Sequence, residues 1–125
     1  MNLLSLILIL LPVQVIAQTL MPVRDNTDEI INRLIACESS GKPLAVNKDE
    51  SHGISAGILQ FRRETFIEQF KKYKLADTTG WEEADFDNAW WDSTLQRKLA
   101  KLMLNDGMGK RWSCYSKIWN QKEIK

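Results

Sequence analysis

The chain contains a single pair of cysteines, Cys37 and Cys114, which are 77 positions apart. In an exported protein, an even number of cysteines indicates a disulfide. Closing so long a loop stabilises a folded domain by about 4 kcal/mol in the chain-entropy picture, which matters for a chain of only 125 residues. Two free, buried thiols are the alternative. A zinc site would need more ligands, because His52 is the only histidine.

The N-terminal segment indicates export. Residues 3–11 are apolar except for Ser5, and Val15 and Ala17 fit the small-residue positions of a secretory cleavage site. We therefore predict a signal peptide over residues 1–17, a single domain over residues 18–125, and a periplasmic or secreted location. The apolar run is shorter than the roughly 20 residues of a membrane span, so we expect no stable membrane span in the mature form. An uncleaved N-terminal anchor is the alternative.

The charge balance narrows the class of partner. Seventeen basic and 16 acidic residues give a formal net charge of +1, which excludes a polybasic nucleic-acid binder and an acidic disordered tail. A neutral polysaccharide or a peptide remains compatible with this balance. We expect no nucleic acid as a partner, and we expect a monomer.

The hydrophobic pattern predicts a mainly α-helical protein with one small β or irregular lobe. A first helix begins near Asn26, which forms a capping box with Glu29, and ends near Ser39-Ser40 because Gly41 follows. The polar segment 42–57 is rich in turn formers and predicts a β-hairpin or an irregular lobe.

Three further helices are predicted from apolar residues at helical spacing. One covers residues 64–73, and a long one covers residues 87–105 with a buried stripe formed by Trp91, Leu95, Leu99, Leu102 and Met103. A short helix near the C-terminus holds Tyr115, Ile118 and Trp119. We expect at least one of the adjacent Trp90 and Trp91 to reach the surface or a cleft, and Trp112 to pack over the disulfide.

Glu38 is the residue most suited to chemistry. It follows Ile31, Leu34 and Ile35 by seven, four and three positions, which places its carboxylate on the apolar stripe of the first helix. Loss of water and the negative end of the helix dipole both favour a protonated carboxyl there. Such a group can act as a general acid that protonates a leaving-group oxygen. The alternative is a carboxylate that bends past the helix end into solvent.

Several segments together resemble the core motif of the lysozyme-like lytic transglycosylases, the soluble lytic transglycosylase (SLT) type. They are Cys37-Glu38-Ser39-Ser40-Gly41, Ala45-Val46-Asn47 and Ser55-Ala56-Gly57-Ile58-Leu59-Gln60-Phe61. The family carries Glu-Ser at a helix end, then a polar loop, then a Gly-x-x-Gln element. The match covers about residues 30–66, with a weaker match over the long helix and residues 107–114.

The resemblance implies a lysozyme-like α+β fold, mainly α, with a cleft between an α lobe and a small loop lobe. It implies Glu38 as the catalytic acid and then base, acting on the β-1,4 bond between N-acetylmuramic acid and N-acetylglucosamine in peptidoglycan. The product carries a 1,6-anhydro ring, and the reaction needs neither a metal nor another cofactor. Glycan strands of peptidoglycan are then the partner.

Four further residues are candidates for substrate binding: Ser39, Ser55, Gly57 and Gln60. The Gln60 amide suits an N-acetyl or hydroxyl group of a sugar, or else pairs with loop backbone. The Ser39 hydroxyl either bonds to the Glu38 carboxyl or caps the helix end. Gly57 lets backbone approach a ligand closely, or is a simple turn glycine.

Two alternatives to a lytic transglycosylase stay open. A glycoside hydrolase would need a second carboxylate, for which Asp49 and Glu50 in the polar loop are candidates. A lysozyme-like module that binds glycan or protein without cutting is the other. It is motivated by the lack of the Ala-Tyr-Asn run whose tyrosine contacts the catalytic glutamate in many members. Tyr115 or Asn105 could substitute for that tyrosine.

Overall fold

The computed structural model describes residues 26–49, 51 and 53–118. The predicted signal peptide over residues 1–17 lies outside the described residues. The same holds for Glu50, His52 and Trp119.

The first helix, α1, spans Thr27–Ser39 and ends where the sequence predicts. Ser40 and Gly41 follow with φ of 54° and 76°, and the Gly41 N–H donates to the carbonyl of Ile35 at 3.4 Å. This left-handed turn stops the helix because it uses the last free carbonyls. The predicted capping box is wrong: the Asn26 side chain makes no cap hydrogen bond, and Glu29 pairs with Arg33 one turn later at 3.1 Å.

A three-stranded antiparallel sheet follows α1, which confirms the predicted hairpin in the polar segment. Strands β1 (Val46–Asp49), β2 (Gly53–Ala56) and β3 (Phe61–Arg62) lie in the order β1-β2-β3. Val46 pairs with Ala56, which in turn pairs with Phe61. The sheet is therefore small and is covered by the helices at its Ala56 and Phe61 end, where both residues are buried.

Helix α2 spans Arg63–Lys72, close to the predicted 64–73, and fully buries Phe66 and Phe70. The single long helix predicted over residues 87–105 is wrong. The structure has two helices, α3 (Glu83–Trp91) and α4 (Ser93–Asn105), which are separated at Asp92. Asp92 has an extended backbone and its Oδ1 accepts from the Leu95 N–H at 3.0 Å, so it caps α4.

The break changes which tryptophan is buried. Trp90 is 8 % exposed and its indole N–H donates to the Phe61 carbonyl at 2.8 Å, whereas Trp91 is only half-buried. In the predicted stripe, Leu99 and Met103 are fully buried, while Trp91, Leu95 and Leu102 are half-buried. A 3₁₀ helix at Gly109–Arg111 and helical backbone at residues 115–118 complete the described chain.

One hydrophobic core contains residues from α1, α2, α3 and α4 and from strands β2 and β3. A disulfide adds a covalent link between distant parts of the chain. The two cysteines are bonded, which confirms the pairing, with their Cα atoms 6.1 Å apart. The bond links the end of α1 to the segment after the 3₁₀ helix. No helix in the described ranges is long and apolar enough to cross a membrane. The protein is thus mainly helical, with one small antiparallel sheet and one disulfide.

Candidate active site

A groove with a volume of about 340 Å³ lies between the end of α1, the sheet and the segment after α4. The end of α1 contributes Glu38. The sheet and the start of α2 contribute Asn47, Asp49, Ser55, Gln60, Phe61, Arg62 and Thr65. The last part of the chain contributes Met103, Arg111, Trp112 and Ser113. Most of these side chains are polar, so the groove suits a hydrophilic ligand.

The sheet presents a transverse row of polar residues to this groove. Asn47 on β1 pairs with Ser55 on β2, and Ser55 pairs with Arg62 on β3. Because paired residues of an antiparallel sheet lie on the same face, the three side chains form one line across the strands. Asp49, two residues after Asn47, lies on this face too.

Glu38 is half-buried and is held by the far end of the chain. Its Oε1 accepts from the backbone N–H of Cys114 at 3.2 Å and lies 3.4 Å from the Ser113 hydroxyl. Its Oε2 has no hydrogen-bond partner in the described part of the chain. One oxygen is therefore fixed in position while the other is left for a ligand.

Ser39 lies beside Glu38 in sequence but is not part of the groove wall. It is 7 % exposed, and its Oγ lies 2.7 Å from the carbonyl of Ile58 and 3.1 Å from that of Ile35. A hydroxyl has one hydrogen to donate, so these two acceptors share it. Ser39 joins α1 to the loop between β2 and β3, and the predicted bond to the Glu38 carboxyl is not formed.

Gln60 lines the groove in a strained conformation, with φ of 50°. Its Nε2 donates to the carbonyls of Ala45 and Gly57, at 3.0 and 2.9 Å. Both amide hydrogens thus serve the loop backbone, the second of the two roles predicted for this residue. The amide oxygen has no partner among the described residues and is the atom left for a ligand.

Gly57 is buried and does not line the groove. Its φ is 84°, and a Cβ there would lie 2.2 Å from Nε2 of Gln96. Gln96 is fully buried and bonds to the carbonyls of Ala56 and Trp90 and to the N–H of Leu59. The glycine therefore makes room for a buried amide rather than for a ligand. Ser55, by contrast, lines the groove.

Neither residue considered as a substitute for the tyrosine of the Ala-Tyr-Asn run forms a hydrogen bond with Glu38 in the described part of the chain. Asn105 accepts from the Thr27 hydroxyl at 3.2 Å, and the Tyr115 ring packs against the backbone of Gly109. The donors that reach the carboxylate are Ser113 and the Cys114 N–H. The sequence did carry a signal for them, because a disulfide from Cys37 must bring the neighbours of both cysteines together.

Asp49 is the second carboxylate in the groove. Its Oδ1 accepts from the Ser51 N–H and hydroxyl at 2.9 and 2.7 Å, which fixes the turn after β1.

Arg62, Thr65 and Arg111 also line the groove but were not predicted from the sequence. Nothing in their local sequence separates them from ordinary surface residues. Within the described ranges, no group of three or more His, Cys, Asp or Glu side chains is placed to hold a metal ion.

Comparison with known proteins adds no relative. No protein-family model matches this chain, no curated protein matches it significantly, and neither does any solved structure.

Proposed function

We propose that this protein is an exported lytic transglycosylase with a lysozyme-like fold, which cleaves the β-1,4 bond between N-acetylmuramic acid and N-acetylglucosamine in peptidoglycan. The observation that carries the proposal is the placement of Glu38. One oxygen of its carboxylate is anchored on Cys114 N–H and Ser113, and the side chain lines a polar groove opposite a small sheet.

The arrangement of the groove agrees with the sequence motif that led to the proposal. The Glu-Ser pair ends α1, the polar loop forms the hairpin, and Gln60 of the Gly-x-x-Gln element lines the same groove as Glu38. Of the four residues predicted to bind substrate, Ser55 and Gln60 take that role here. Ser39 and Gly57 become positioning residues, because each fixes the loop that carries Gln60.

The proposed reaction needs one carboxyl group that gives and then takes a proton. Glu38 donates its proton to the glycosidic oxygen as the bond from that oxygen to C1 of the muramic acid breaks. The ionised Glu38 then removes the proton of the 6-hydroxyl of the same sugar while its oxygen bonds to C1. The product is a 1,6-anhydro sugar, no water is consumed, and Glu38 ends protonated as it began.

Replacement of the acid tests the assignment. Glu38→Gln keeps the size of the side chain and removes its acid–base function, so release of soluble fragments from purified sacculi should fall about 10²–10⁴-fold. Glu68→Gln is the matched control, because Glu68 is exposed on α2 and away from the groove. Both variants should keep the disulfide and the circular dichroism of the parent. Cleavage by Glu38→Gln at the parent rate would refute the role of Glu38.

A muramidase hydrolase is the second candidate, because Asp49 lines the same groove as Glu38. Two carboxylates flanking a glycosidic bond are what a hydrolase requires. Mass spectrometry separates the reactions, since a hydrolysed end is heavier than an anhydro end by one water. Anhydro ends that persist in Asp49→Asn support the lytic transglycosylase, whereas hydrolysed ends that vanish in Asp49→Asn support the hydrolase. Binding to sacculi without any released fragment indicates a non-catalytic module.

A further inference from the structure

The arginines of the described chain fall into two groups. Arg33 pairs with Glu29 at 3.1 Å, Arg63 with Asp87 at 2.6 Å, and Arg97 Nη1 donates to Asn32 at 3.0 Å. Arg62 and Arg111 differ, because neither has a hydrogen bond or an ion pair with any described residue. These two are also the arginines that line the groove.

The two unpaired arginines come from different walls. Arg62 ends β3 in the row with Asn47 and Ser55, and Arg111 ends the 3₁₀ helix just before Trp112. Both side chains are exposed, and neither forms an ion pair with Glu38 or Asp49. The groove therefore holds two guanidinium groups whose donors are all available to a ligand.

Two guanidinium groups without partners among the described residues indicate which chemical groups the ligand carries. The planar fork of an arginine matches a carboxylate with two parallel hydrogen bonds, which a hydroxyl or an N-acetyl group cannot accept. The carboxylates of Glu38 and Asp49 in the same groove oppose a densely charged polyanion. The best match is a neutral backbone that bears carboxylates at intervals.

We propose that Arg62 and Arg111 bind carboxylate groups carried on the muramic acid units of the glycan, so that the groove selects carboxylate-bearing strands over neutral N-acetylglucosamine oligomers. This inference rests on the proposed function for its choice of glycan. Muramic acid offers such groups in two ways: its lactyl carboxylate when the peptide is absent, and the carboxylates of the stem peptide when the peptide is present.

Equilibrium binding to three ligands of equal length tests the inference. The ligands are a chitin oligomer, a peptide-free glycan strand and a peptide-bearing glycan strand. Calorimetry measures the affinity for each ligand, and every protein tested carries Glu38→Gln so that no ligand is cleaved. Arg62→Gln and Arg111→Gln should each weaken binding of carboxylate-bearing strands about 10-fold, in line with a charged hydrogen bond. Binding of the chitin oligomer should be weaker from the start and unchanged by either substitution.

Lysines that carry the same charge next to the groove provide the controls. Lys48 lies between Asn47 and Asp49 on β1, and Lys110 precedes Arg111, yet neither lines the groove. Lys48→Gln and Lys110→Gln should leave all three affinities unchanged. A loss with the peptide-bearing strand alone assigns the arginines to stem-peptide carboxylates, and a loss with the peptide-free strand assigns them to the lactyl group.

Three results would overturn the inference: equal affinity for the neutral and the carboxylate-bearing ligands, no measurable binding of either muramic acid strand, or equal losses from the lysine and arginine substitutions. Failure of the proposed function looks different. In that case the arginines still discriminate between the ligands, but the parent protein releases no anhydro or hydrolysed fragment from sacculi.

Discussion

Glu38 owes its position to two short stretches that lie far apart in the chain. Cys37 precedes Glu38, Ser113 precedes Cys114, and the disulfide forces the two pairs together. The Cys114 N–H and the Ser113 hydroxyl then reach the same carboxylate oxygen. A helix end alone would leave the side chain free to rotate into solvent. The covalent bond thus acts on the geometry of the proposed acid as well as on stability.

Gly57 is the residue where a single methyl group should be most harmful. In Gly57→Ala the new Cβ would lie 2.2 Å from Gln96 Nε2, and the φ of 84° is unfavourable for any side chain. A left-handed residue costs about 1–2 kcal/mol, and displacing a buried amide adds about 1–3 kcal/mol. Urea denaturation should therefore show a loss of about 2–5 kcal/mol in the free energy of unfolding.

Gly80→Ala is the control for this prediction, because Gly80 has a similar φ of 77° but open space around its Cβ position. It should lose only the conformational part, about 1–2 kcal/mol. Equal losses at the two glycines would show that the contact with Gln96 has no energetic weight.

At the scale of elements, the features that could be predicted from the sequence are those that short stretches of the chain determine. The end of α1, the hairpin, α2 and the disulfide were all predictable, because capping glycines, turn formers, apolar spacing and cysteine count are local or simple signals. The break between α3 and α4 was not, since apolar residues continue at helical spacing through Asp92. Asp92 caps α4 locally, and tertiary hydrogen bonds hold the two helices in place: Trp90 bonds to Phe61, and Gln96 bonds to the loop around Gly57.

The candidate site also divides into residues that a local motif predicts and residues whose position depends on the tertiary fold. Glu38 and Gln60 were predicted from a motif, while Arg62 and Arg111 were not, because their place in the groove depends on strand register and on the path of the chain after α4. Ser39 was predicted to contact Glu38 or to cap the helix. Its hydroxyl bonds to the Ile35 carbonyl of α1 and to the Ile58 carbonyl, which lies in a loop whose fold the sequence did not specify.

Gln96 is the residue through which α4 is joined to the sheet and the following loop. Gln96→Leu keeps a similar volume but leaves the Leu59 N–H and the Ala56 and Trp90 carbonyls without their buried partner. Since each unsatisfied buried group costs about 1–3 kcal/mol, we expect the free energy of unfolding to fall by roughly 3 kcal/mol or more in urea denaturation.

Gln69 on α2 provides the matched control for Gln96. It is also buried, but its Oε1 has no hydrogen-bond partner in the described part of the chain. Removing a buried amide oxygen that is already unsatisfied relieves a cost, so Gln69→Leu should be neutral or stabilising. A loss as large as that of Gln96→Leu would mean that volume, and not hydrogen bonding, governs both sites.

At the scale of the whole molecule, the groove exists only when distant parts of the chain are assembled. Its walls come from the end of α1, from the sheet and from the segment after α4. The indole N–H of Trp112 donates to the Leu59 carbonyl at 3.0 Å, and the Trp112 ring meets Phe61 edge-on at 5.5 Å. These contacts hold the segment after α4 against the sheet and its adjoining loop. The disulfide holds the same segment against the end of α1.

Removing the disulfide should therefore reduce activity by more than the loss of stability explains. With 77 positions between the cysteines, the double variant Cys37→Ala/Cys114→Ala should lose about 4 kcal/mol in the free energy of unfolding by the chain-entropy estimate. Cleavage of sacculi is then compared with the parent at a temperature where both proteins remain folded by circular dichroism. The variant should still cleave more slowly, because the Cys114 N–H no longer holds the Glu38 carboxylate in place. An equal rate in the folded variant would show that packing of Trp112 alone positions residues 113–114, and that the disulfide acts only on the unfolded chain.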